Sequence, residues 1–163
     1  MLTKPEFLAA LKRETKILSH LAGQLEPKHL DFRLTSAQRS TRELLQYLTI
    51  NAQASTTYYL SGTWDHWDAL AAGATAIDLA TFSGALKSQE RAVVRLLAPI
   101  SDKAWRTRMV KPMSGKGSKL ALDVALFETT LSMCIGYRMQ LFLQAKAAGL
   151  AQLASKDLWA GKA

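Results

Sequence analysis

Met133-Cys134-Ile135-Gly136-Tyr137-Arg138-Met139-Gln140, inside the run from Lys119 to Ala148, is the stretch from which the fold can be read. Apolar residues recur through this run at Leu120, Val124, Phe127, Leu131, Cys134 and Leu141, by threes and fours until the chain meets Arg138. That period marks one face of an α-helix. A second row, Leu126, Thr130, Met133, Tyr137 and Gln140, lies beside the first. A helix apolar over more than one face is buried on several sides. Gly149 stands where a left-handed C-cap is expected, with Leu150 packing back on the last turn. Ser155 to Gly161 has room for a short terminal helix.

The partners of this helix are read from their caps. Thr3-Lys4-Pro5-Glu6 is a capping box, and Phe7, Leu11, Leu18, Leu21 and Leu25 follow as a core face. Ser40-Thr41-Arg42-Glu43 is a second box. A helix opens there, or a turn earlier at Ser36, with Leu44, Leu45, Leu48, Ala52, Ser55 and Tyr59 as its inward face, and Gly62 ends it. Asp78 caps a third helix, with Leu79, Phe82, Leu86, Val93, Leu96 and Leu97 as its apolar face and Pro99 at its end. Between them, Trp64 to Asp68 reads as a lid over the bundle end or a guard at a pocket mouth. Ala69 to Ala76 reads as a weak helix or a link, and Ser101 to Ser118 as a long connection broken by Pro112, Gly115 and Gly117. Four long amphipathic helices predict an all-α four-helix bundle. It is expected as one domain over residues 1–163, with 119–148 its last long helix and 150–163 a C-terminal tail.

Composition bounds the function. A chain of 163 residues with 48% hydrophobic and 21% charged residues is large enough for a core and ordinary for a globular protein. A single cysteine, Cys134, excludes an intrachain disulfide and a cysteine-based zinc cluster. Its place on the apolar stripe, with no nearby histidine in sequence, predicts a small buried hydrophobe rather than a nucleophile. No apolar run reaches membrane-spanning length, and the first residues lack the apolar core of a signal peptide, so a cytoplasmic setting with no membrane partner is expected. The net charge of +8 reads as a solubility charge, since no aromatic-rich nucleic-acid motif accompanies it. Ser114 to Lys119 echoes a phosphate loop but lacks the Walker spacing and a preceding strand.

Two helical segments read together carry a resemblance. One is Ser40-Thr41-Arg42-Glu43-Leu44-Leu45-Gln46-Tyr47. The other is Met133-x-x-x-Tyr137-Arg138-x-Gln140-Leu141, closing on Gly149. Together with Ser101-Asp102-Lys103-Ala104-Trp105, they resemble the DinB/YfiT-like superfamily of helical bundles. That superfamily has histidines at the positions of Tyr47, Met133 and Tyr137, and they hold a divalent metal for thiol-dependent transferases and isomerases. The resemblance also implies a homodimer, in keeping with the wide apolar surface of the last helix. None of the three ligand positions is histidine here. A phenol ionises near pH ~10, and a thioether prefers soft metals. No metal and no cofactor is therefore expected.

The resulting expectation is a non-catalytic bundle that binds a small molecule or partner at a vestigial metal site of Tyr47, Met133, Tyr137 and Gln140. A metal- or thiol-dependent transferase or hydrolase of the same superfamily is the alternative. A nucleic-acid-associated protein using the basic 103–119 connection is the second. His20, His29 and His66 fall at none of the family's ligand positions. Arg138 needs a carboxylate partner, with Glu43 the candidate by motif proximity.

Overall fold

The structure, a computed structural model, describes residues 2–162. The helices are α1 (Lys4–Ala22), α2 (Thr41–Leu48), α3 (Asn51–Ser61), α4 (Trp67–Ala74), α5 (Leu79–Leu97), α6 (Asp102–Thr107), α7 (Leu122–Ala125), α8 (Ser132–Ala147) and α9 (Ser155–Ala160). A six-residue π-helix, Leu126–Leu131, joins α7 to α8 as one rod. A 3-10 turn at Pro27–His29 and a two-stranded antiparallel ladder complete the elements. In the ladder β1 (Met109–Val110) pairs with β2 (Leu120–Ala121), Met109 opposite Ala121.

Local chemistry starts the long helices. The Glu6 N–H donates to the Thr3 hydroxyl at 3.3 Å, and the Thr3 N–H donates to the Glu6 carboxylate at 2.7 Å. The same exchange ties Ser40 to Glu43 at 3.2 and 2.8 Å. Asp78 accepts the Thr81 N–H at 2.9 Å at the head of α5. Each box satisfies helix-start donors that have no helical acceptor.

The four-helix expectation is corrected. With the 122–147 rod counted once, the described residues hold eight distinct helices, in an all-α bundle of long and short members. The first departure is the break between α2 and α3. In an unbroken helix the Ala52 N–H would donate to the Leu48 carbonyl. Instead the Gln89 side chain of α5 stands between them. Its oxygen accepts the N–H of Ala52 at 2.9 Å and of Gln53 at 3.3 Å, and its amide nitrogen donates to the Leu48 carbonyl at 2.9 Å. A side chain inserted in the i→i−4 ladder is a recognised cause of a helix break. The Thr49 hydroxyl helps by donating back to the Gln46 carbonyl at 2.7 Å.

The second departure is α6 within the expected long connection. Ser101 caps it, and it carries Trp105, which is buried against Phe7 at 5.5 Å between ring centroids. The Trp105 indole N–H donates to the Leu2 carbonyl at 3.0 Å, which pins the chain start to this short helix. The short terminal helix for which Ser155 to Gly161 has room is present as α9, whose Asp157 lies 2.8 Å from the His20 ring and so holds the C-terminal segment on α1.

The last long helix also differs from its expected pattern. Phe127, placed on the core stripe by simple spacing, is exposed, whereas Leu122, Leu126, Thr130, Cys134 and Arg138 form the buried row. A strict spacing of four drifts around a 3.6-residue helix, and the wider π-turn absorbs that drift. Cross-helix hydroxyl pairs hold this turn: Ser55 with Thr130 at 2.8 Å and Tyr59 with Thr129 at 2.7 Å.

Two apolar clusters fill the interior. One joins Leu18, Leu44, Leu48, Phe82, Leu86 and Leu141; the other joins Phe7, Leu11, Val93, Leu97, Trp105 and Leu126. No helix among the described residues is long and apolar enough to cross a membrane.

Candidate functional site

The last turn of α2 carries Tyr47, and the second turn of α8 carries Tyr137. The two rings meet edge to face, 5.1 Å between centroids at 70°. Tyr47 also meets Trp67, at the head of α4, at 6.3 Å. Beyond this pair opens a cleft of about 680 Å³ lined by Arg39, Tyr47, Trp64, Asp65, Trp67 and Asp68. Trp64 stacks on Tyr58 at 4.6 Å and meets Trp67 at right angles at 6.0 Å. The His66 ring stacks behind Trp64 at 5.9 Å, and its Nε2–H donates to the Ala54 carbonyl at 2.9 Å. That bond fastens the Trp64–Trp67 segment to α3.

Of the four residues expected at the site, Tyr47 lines the cleft. Tyr137 stands behind it in ring contact. Met133 and Gln140 are half-buried on α8, one turn before and one turn after Tyr137, and are not in the cleft wall. The Trp64–Asp68 segment supplies four of the six lining residues, so it forms wall rather than only lid. Arg39 lies just before the α2 cap, and no motif in the sequence marks it.

Burial raises the Tyr47 phenol to about 12; Tyr137 adds to the rise and Arg39 opposes it. At neutral pH Tyr47 therefore remains a neutral hydroxyl. Its ring face is taken by the Arg39 guanidinium, 4.2 Å from the centroid. A protonated phenol, a thioether and a second phenol beside a resident cation do not fit the divalent metal that the resemblance implies. Among the described residues, no group of three or more His, Cys, Asp or Glu side chains is placed to hold a metal ion, and Cys134 is a free thiol.

The remaining reactive groups serve structure. Cys134 is buried, and that burial pushes its thiol up to about 12, so it is not a thiolate nucleophile at neutral pH. His29 accepts the Glu26 N–H at 2.9 Å. Arg138 pairs with Glu14 of α1 at 2.8 Å, both side chains almost fully buried, and its guanidinium lies 4.9 Å from the Trp159 ring centroid. Glu43, the expected partner, instead closes its capping box and binds Arg33 at 2.7 Å. In the basic connection, Arg108 donates to the Leu60 carbonyl at 2.8 Å, and Arg106 lies 3.6 Å from buried Asp123. Both arginines therefore contribute to holding α6 and the β-ladder in place.

No protein-family model matches the chain, and no curated protein matches it.

Proposed function

We propose that this chain is a DinB/YfiT-like protein whose metal position has become the floor of a cleft for a small organic ligand. In this reading it acts by binding and not by catalysis. The observation that carries the reading is the meeting of Tyr47 and Tyr137. They come from two separate helices, occupy two of the superfamily's three ligand positions, and lie beside an open aromatic cleft. Concave sites with aromatic walls and a few polar groups are the usual form of small-molecule sites. The protonated state of Tyr47 and the inert environment of Cys134 support a site without an activated nucleophile.

Metal analysis of purified protein, paired with a ligand screen read by thermal shift, tests this. The expected result is no stoichiometric zinc or nickel, with ligands that raise the melting temperature of the parent but not of a Trp67→Ala variant. Stoichiometric zinc or nickel that is lost on Tyr137→Phe would sink the reading.

A further inference from the structure

The cleft over Tyr47 already seats a cation. Besides its position 4.2 Å from the Tyr47 centroid, the Arg39 guanidinium lies 5.8 Å from that of Tyr137. Arg39 is exposed, and among the described residues its side chain has no carboxylate partner. It is held by ring faces alone. Asp65 and Asp68 line the same cleft. The Thr63 hydroxyl donates to Asp65 at 3.1 Å, and neither carboxylate has an ion-pair partner among the described residues. Two acidic groups and one basic group leave this cleft acidic on a chain whose net charge is +8.

The rings supply the rest. Trp64 and Trp67 stand at 88° to each other, and Trp67 is tilted 55° from Tyr47. Ring faces carry the negative lobe of the aromatic quadrupole and attract cations, most strongly for tryptophan. Differently tilted faces with carboxylates beside them suit a compact, weakly hydrated charge. An inorganic cation suits the cleft poorly, since it would need several converging oxygen ligands.

The geometry points to a small organic cation, of the quaternary ammonium or guanidinium class, as the ligand of this cleft, with Arg39 as the intramolecular placeholder that it displaces. This rests on the ligand-binding reading above. A bound cation takes over the Tyr47 face, and Arg39, on an exposed loop, swings to solvent at little cost.

Choline and its neutral isostere, with a tert-butyl group in place of the trimethylammonium, form the test. Each is titrated at low salt into isotope-labelled full-length protein while the indole N–H resonances are followed. Choline is expected to shift Trp64 and Trp67 saturably and leave buried Trp105 unmoved. It is expected to bind about two- to five-fold tighter than the isostere, the ratio that ~0.5–1 kcal/mol of cation–π attraction supplies. Arg39→Gln removes the competing guanidinium and tightens choline by about the same two- to five-fold factor. Asp65→Asn combined with Asp68→Asn weakens it. Equal affinity for the isostere, or weaker choline binding by the Arg39→Gln variant, overturns the inference. If choline is silent but a neutral or acidic aromatic compound shifts Trp64 and Trp67, the cation inference fails and the ligand-binding reading stands. If no compound in such a panel shifts them, both fail.

Discussion

Gln89→Leu tests the account of how α2 and α3 part. Gln89 is 6% exposed, and its amide makes three hydrogen bonds into the break. Leucine has nearly the same volume, so the variant removes the bonds with little change in packing. If the break persists, the buried Ala52 N–H and Leu48 carbonyl are both orphaned. At about 1–3 kcal/mol for each unsatisfied buried group, the cost is about 2–6 kcal/mol. The chain has one escape. The Ala52 N–H can close on the Leu48 carbonyl, as in a regular helix, which recovers part of that energy. Closure straightens the helix and turns Tyr47, one residue before Leu48, away from Tyr137. Urea denaturation gives the stability change, and ring-proton contacts between Tyr47 and Tyr137 give the geometry. The expected result is a loss of at least about 2 kcal/mol, or a smaller loss together with loss of those ring contacts. A change within about 0.5 kcal/mol, the range of a neutral surface substitution, with the ring contacts intact, refutes the reasoning.

Glu14→Gln leaves the Arg138 guanidinium buried without its counter-charge and is expected to cost about 3–5 kcal/mol, whereas Glu14→Met with Arg138→Met recovers most of that loss. A double-mutant cycle on urea-derived stabilities checks this, and additive losses would contradict a coupled pair. The triple variant Tyr47→His, Met133→His, Tyr137→His is expected to bind zinc, read by calorimetric titration. A folded variant that takes up none would mean that Met133 does not converge with the two tyrosines. Glu43 is held down to about 2, first by Arg33 and then by the Ser40 N–H. Between that value and its ordinary range the unfolded chain binds the extra proton, so the contribution is present above the ordinary range and is lost as pH falls toward about 2. Stability profiles of the parent and Glu43→Gln should converge in acid; parallel profiles would rule this out.

Helix starts were legible because their chemistry is local. Thr3, Ser40 and Asp78 each find their partner three residues on. The break at Thr49–Ile50 was not, because its cause is a glutamine on another helix, and Leu44 to Tyr59 keeps an inward period straight through it. The same limit hid the partner of Arg138, which lies on α1 rather than in the motif that contains Glu43. The exposure of Phe127 depends on a π-turn held by Ser55 and Tyr59 from α3, which no spacing rule within 119–148 records. Tyr47 and Tyr137 were paired in advance only through the resemblance, and what the structure adds is that their rings meet. Trp64 and Trp67 were legible only as a lid or a pocket guard, since tryptophans near a glycine turn do not say which ring they will face. Arg39 carries no local signal. Its role comes from where the loop before α2 passes.

The irregular helices and the buried polar side chains are two sides of one arrangement. A polar side chain in a core is costly unless it is hydrogen-bonded, and the interior of a regular helix offers an acceptor no free backbone N–H. The break after α2 frees the Leu48 carbonyl and the Ala52 N–H, and Gln89 consumes both. The π-turn carries Thr130 inward, where its hydroxyl pairs with that of Ser55 at 2.8 Å. The break satisfies the glutamine that causes it, so neither can be removed alone without leaving the other as a deficit. Tyr47 sits immediately before the first defect, and Tyr137 follows the second by less than two turns. The direction in which each ring points is thus set by a departure from regular helix. Restoring a plain helix at either place, with apolar residues in the vacated positions, should yield a chain that folds but whose two tyrosines no longer meet. The cleft would then lose its floor, although every residue lining it is retained.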